Sequence, residues 1–204
     1  MLIQVSVPLA AEPLRGEFQL FPEPIETTVQ DYSDHSANEL IDDARWIFSG
    51  MIYGYIVTWV PPFSSRGVKE KFTIELVAQI PTGDEKLKTL SADKIDGITY
   101  VLMEYSSDSA QQKRLEAWRS TQFPFTAGEG NSPTMGGSRR EALEMAIKEA
   151  VKNYLMRRNF NRPKSVQARV ALIDFPQIGL SNGIYRALVR IRMNPHSVQD
   201  YKID

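Results

Sequence analysis

Toward its C-terminal end the chain reads GIYRALVRIRMNP, with Tyr185, Ala187, Val189, Ile191 and Met193 on one side and Arg186, Leu188, Arg190 and Arg192 on the other. A period of two belongs to a strand with one buried and one open face, so a strand is predicted over 184–193 with its arginines in a row on the outer side. Strands are also predicted over 51–60, 71–80, 98–105 and 166–174, which are rich in β-branched and aromatic residues. In the second of these, Phe72, Ile74, Leu76, Ala78 and Ile80 share one face. Elsewhere the period changes to that of a helix. Ser36 and Glu39 form a capping box ahead of Leu40, Ile41, Ala44, Ile47 and Phe48, and Gly50 is placed to end that helix. A second helix is predicted over 106–121. A third opens at the Ser138–Glu141 box, carries Leu143, Ile147, Ala150, Val151, Tyr154 and Leu155 as its apolar stripe, and ends near Arg158, before Pro163.

The remaining stretches lack either period. Residues 1–11 form a short apolar run ending in small residues and read as the remnant of a signal peptide. The proline-spaced residues 12–35 read as an extended acidic arm anchored by Phe18, Leu20 and Phe21, and the glycine- and proline-rich 123–137 as a mobile loop. The domain proper is then 36–204. Its order of elements predicts an α+β fold: an antiparallel sheet of about five strands with helices packed mainly on one face. A helix-strand-strand echo between 36–80 and 138–193 adds the option of a degenerate repeat.

Composition narrows the chemistry. The 204 residues are 42% hydrophobic and 24% charged, ordinary for a globular chain large enough to bury a core. There is no cysteine, which excludes disulfides, thiolate metal sites and a Cys nucleophile. The net charge of -1 hides an asymmetry. Residues 1–50 hold two basic against nine acidic groups (-7), residues 51–137 nine against ten (-1), and residues 138–204 thirteen against six (+7). Either the two ends lie against each other, or a basic patch is offered to an acidic partner. No segment approaches the ~20 apolar residues of a transmembrane helix, so membrane association is not supported.

No catalytic, metal-ligating or cofactor-binding motif emerges. His35 and His196 stand apart from any ligand spacing, and GEGNSPTMGGSRRE matches no phosphate-loop pattern. Two surfaces are candidates. The first is an interaction face of Arg169, Arg186, Arg190 and Arg192, opposite an acidic protein or the chain's own acidic arm. The second is a ligand site where Tyr53, Tyr55 and Trp59 on one strand face meet Arg139 and Arg140 beside the glycine-rich 123–140 stretch. Against the second stands a plainer reading: strand 51–60 has Ile52, Ile56 and Val60 on its other side and is expected to be buried on both faces. Nucleic acid is not expected, given a pI near 6.2 and no RNP-like run.

The segments FSGMIYGYIVTWVPPFSSRGVKEKFTIELVAQIP, EALEMAIKEAVKNYLMRRNFNRPKSVQARVALID and IYRALVRIRM together resemble uncharacterised exported proteins of spirochaete-type bacteria. The last third is also similar to small envelope lipoprotein and flagellar-accessory domains, although the lipidated cysteine of such lipoproteins has no counterpart here. The resemblance implies an exported, periplasmic or envelope protein. With no catalytic motif in the chain, the leading expectation is a non-enzymatic role through protein-protein contact, and the alternative is a ligand-binding or enzymatic domain using the 123–140 stretch and the aromatic strand face.

Overall fold

The computed structural model describes residues 12–20, 31–134, 137–156 and 163–201. The expected signal remnant, residues 1–11, lies outside them. Among the described residues nine strands form two antiparallel sheets. β1 (Leu14–Leu20), β4 (Leu87–Ile95) and β5 (Ile98–Tyr105) make a three-stranded sheet in the order β1-β5-β4. β2 (Tyr55–Val60), β3 (Lys71–Leu76), β6 (Phe125–Asn131), β7 (Ser165–Leu172) and β9 (Ile184–Gln199) make the larger sheet in the order β3-β2-β7-β9-β6, and β8 (Gln177–Ser181) joins it beside β9. The fold is α+β as expected, with more strands than five and two sheets in place of one.

Two of the three helices build the core. α1 (Asp31–Ile52) and α3 (Arg139–Met156) lie on the same face of the larger sheet, while α2 (Ser109–Arg119) packs against α1. The apolar stripe of α3 is buried where its spacing requires, with Leu143, Ile147, Ala150 and Val151 fully enclosed. α3 packs on β6 and β9, whose inward Val189 and Ile191 are buried, while α1 packs on β7 with its inward Val170 and Leu172. The Ser138–Glu141 box closes as expected: Glu141 N donates to Ser138 Oγ at 3.1 Å and Ser138 N to Glu141 Oε2 at 2.7 Å.

The stretch 123–137, expected to be a mobile loop, instead contains β6. Its glycines are there for closeness. A Cβ on Gly128 would lie 2.2 Å from the Ala146 carbonyl oxygen, and one on Gly130 would lie 2.2 Å from the Ala146 nitrogen. Ala142, Ala146 and Ala150 present the matching small side chains, so helix and strand backbones nearly touch. Thr126 Oγ1 donates to Ala150 O at 3.0 Å and Asn153 Nδ2 to Ala127 O at 3.1 Å, which ties β6 to α3 along its length.

The expected arm is corrected over 14–20 and 31–35, while residues 21–30, with Phe21, lie outside the described residues. Leu14–Leu20 pairs with β5 through its whole length, and Phe18 is buried against Phe175 at 5.1 Å between ring centroids. Phe175 sits in the four-residue excursion that separates β7 from β8, and its ring also meets Phe48 of α1 at 5.8 Å. That one side chain joins the two sheets. α1 begins at Asp31, so the Ser36–Glu39 box falls inside the helix. It also runs past Gly50, because Tyr55 folds back beneath that residue and donates its hydroxyl to Trp46 O at 3.1 Å.

Candidate docking face

α1 and α3 cover one side of the larger sheet, and the described residues leave the other side open. On β9, Ala187, Val189, Ile191 and Met193 are buried under the helices, whereas Arg186, Leu188 and Arg190 are exposed and Arg192 is half-buried. Cross-strand pairing fixes what stands beside them. Glu75, Ile56, Arg169 and Asn194 line up across β3, β2, β7 and β9. Ala171, Arg192 and Phe125 form the next row, followed by Arg190 with Ala127. Gln177, Leu188 and Glu129 come next, and then Gly179, Arg186 and Asn131. The four sequence-predicted arginines therefore share one face, and β7 does pair with β9.

The face is also more apolar than expected. Ile56 is 47% exposed, Phe125 51% and Leu188 40%. Strand 51–60 is therefore not buried on both sides: Tyr55, Val57 and Trp59 face the helices and Ile56 faces outward. An antiparallel sheet can present one side to water, but that side is ordinarily polar. Here large apolar side chains alternate with guanidinium groups.

Electrostatically the arginines are only partly compensated. Arg190 pairs with Asp174, which the 173–176 excursion places beside it. Arg192 donates from Nη1 to Phe123 O at 2.6 Å. The Nε atoms of Arg169 and Arg192 are enclosed without a hydrogen-bond partner among the described residues. Same-face neighbours along a strand are about 7 Å apart and diagonal neighbours about 7–8 Å, close enough for like charges to repel. Of the arm invoked to neutralise them, Leu14–Leu20 is committed to the other sheet. Phe18 anchors on Phe175, so this segment does not cover the arginines.

The second candidate surface is not assembled. Tyr55 and Trp59 point into the core; Trp59 Nε1 donates to Glu70 Oε1 at 3.0 Å, and burial pushes the Tyr55 phenol well up from its ordinary value. Tyr53 falls beyond the strand, at the end of α1, and accepts from Gln111 Nε2 at 2.7 Å. Arg139 donates to Asp43 and to Gln19 O, both at 3.3 Å, and lies 5.3 Å from the Tyr185 ring centroid. Arg140 stacks on Trp46 at 4.3 Å and reaches Asp43 at 3.7 Å. The two arginines clamp the start of α3 to α1. Burial raises the Asp43 carboxyl above its usual value despite both guanidinium groups. The cleft beside Arg139, between Phe18 and Tyr185, leaves no room for even a water. In this fold these five side chains serve as internal fasteners.

Three contributors to the open face escaped the sequence reading: Asp174, Glu129 and a groove of about 320 Å³ over Gly179, Leu188 and Arg186. The signal for the groove was the dipeptide Asn182-Gly183, a two-residue turn with φ of 53° and 74° that folds β8 back onto β9.

A family model matches residues 5–201, so the chain belongs to that family. An uncharacterised protein of Treponema pallidum (strain Nichols) is 20% identical over 165 residues, covering 78% of this chain and 67% of the relative. Together they place the chain in an uncharacterised family of spirochaete type. No solved structure matches the chain significantly. No helix among the described residues is long and apolar enough to cross a membrane.

Proposed function

We propose that this protein is a non-enzymatic, exported component of the bacterial envelope, periplasmic in location, that works by docking an acidic protein surface onto the open face of its larger sheet. One observation carries the reading: Arg169, Arg186, Arg190 and Arg192 share that face with exposed Ile56, Phe125 and Leu188. Arginine and aromatic side chains such as Phe125 are enriched in protein interfaces, and the cores of those patches are more apolar than the rest of the surface. A face kept merely for solubility is better served by lysine and glutamate.

Export is motivated by the apolar run Leu2–Ala11, by the absence of cysteine and by the resemblance of the last third to envelope and flagellar-accessory domains. A ligand-binding or enzymatic role through Tyr53, Tyr55, Trp59, Arg139 and Arg140 is the lesser reading, because Tyr53, Tyr55, Arg139 and Arg140 are occupied in contacts of α1, α2 and α3 and the Trp59 indole is bonded to Glu70.

The test is photocrosslinking in the native cell with a crosslinker at Leu188 or Phe125, compared with one at Asp93 on the outside of the smaller sheet. A salt-sensitive adduct with one acidic envelope protein, formed from the first two positions and not the third, supports the reading. No adduct at Leu188 or Phe125, or the same adducts at all three positions, defeats it.

A further inference from the structure

We infer that the docking face has a defined anchoring point, the groove over Gly179, and that it takes a large apolar side chain carried beside a carboxylate on the acidic partner. This rests on the docking reading above and adds what the partner must present.

The groove is about 320 Å³ and is lined by Glu129, Gln177, Ile178, Gly179, Arg186 and the β9 backbone and side chain at Leu188. Its floor is apolar. Leu188 stands between Gln177 and Glu129, and Gly179 lies directly opposite Arg186 on the same outward side. Any other residue at 179 would fill this space. A Cβ built there meets nothing within 4 Å, and the backbone is not in the left-handed region, so neither crowding nor strain requires glycine. The same sheet uses glycine at 128 and 130 because a helix backbone lies against it. At 179 the missing side chain leaves an opening.

Charge gives the opening a direction. Arg186 borders it on one side and Glu129 on the other, diagonal to each other across β9 and β6. An incoming carboxylate is drawn to the Arg186 side and repelled from Glu129, while the groove over Leu188 and Gly179 accepts an aliphatic or aromatic group. Binding energy at protein interfaces concentrates where one large side chain fills a well-packed, desolvated pocket. Arg190, four residues from Arg186 on the same face and beyond Leu188, offers a second cation for further acidic residues of the same segment.

The experiment uses the full chain and two labelled synthetic peptides, both rich in Glu and Asp, one with a single central Phe and one with Ala in its place. Binding is read by fluorescence anisotropy against wild type, Gly179→Trp and the triple variant Arg186→Gln, Arg190→Gln, Arg192→Gln. The Phe peptide is expected to bind wild type about tenfold more tightly than the Ala peptide. Gly179→Trp is expected to erase that difference while keeping the thermal midpoint, and the triple variant to weaken both peptides. Equal affinity of the two peptides for wild type, or an undiminished preference in Gly179→Trp, overturns the anchoring point and leaves the acidic-partner reading standing. Indifference of both peptides to the triple arginine variant overturns that reading as well.

Discussion

Arg192 on β9 stands diagonally across from Arg169 on β7, and the Nε of each is enclosed without a hydrogen-bond partner among the described residues. Two cations held this close on an open sheet repel each other. Neither is needed to fill the core, which lies on the opposite side under α1 and α3. Under the docking proposal, these cations are kept for the acidic surface that the face would bind.

If the arginines serve binding, removing them should leave the fold intact. Arg186 and Arg190, both exposed, replaced together by Gln are expected to keep the unfolding free energy within about 1 kcal/mol of wild type, since an exposed ion pair contributes about 0–1 kcal/mol and some repulsion is relieved. Chemical denaturation measures it. A loss of several kcal/mol would show that these side chains support the fold itself.

Under the sheet the opposite holds. Ile147 of α3 is fully buried, and Ile147→Asp places an unpaired charge in the core at an expected cost of about 3 kcal/mol or more. A thermal midpoint near wild type would contradict the packing described for α3.

Glycines on neighbouring strands should behave differently. Gly130→Ala drives a methyl into the α3 backbone and is expected to cost about 1–3 kcal/mol, whereas Gly179→Ala enters open space and should change stability by less than about 0.5 kcal/mol. Equal effects of the two substitutions would refute the close approach of α3 to β6.

Glu70 gives a dependence on acid. Partial burial pushes its carboxyl upward, but hydrogen bonds from the Trp59 indole and the Lys148 ammonium outweigh this and hold it below its ordinary value of 4.5. A carboxyl depressed in the folded state adds stability above its unfolded pKa and loses it as pH falls through the folded one. Wild type is therefore expected to lose this contribution, under about 1 kcal/mol for so exposed a pair, below pH 4.5, while Glu70→Gln shows a shallower acid slope. Parallel pH–stability curves would show that Glu70 carries no such linkage.

Strands with one buried face were legible in the sequence. β9, β7 and β3 follow from alternation, and α3 from its capping box and stripe. β4 was not, because only Leu87 and Ser91 are partly sheltered and no apolar alternation survives on a strand exposed on both sides. Its one signal is Asp96-Gly97, where φ values of 51° and 83° make the two-residue turn into β5. β6 was hidden for another reason. Its inward residues Thr126, Gly128 and Gly130 are small because α3 lies so close, and a period of two in small residues resembles a loop. The arginine row was visible, whereas its apolar companions Ile56 and Phe125 were not. Which side of β2 is covered depends on helices far away in sequence.

The claim that the open sheet face is the working surface is tested most directly by the affinity of the purified protein for the acidic partner crosslinked at Leu188, measured for wild type and for the Arg186, Arg190 and Arg192 to Gln variant across a range of salt. The account predicts binding that weakens with salt and falls at least about tenfold in the variant while the variant stays folded. An affinity that is the same in both proteins and indifferent to salt would contradict it.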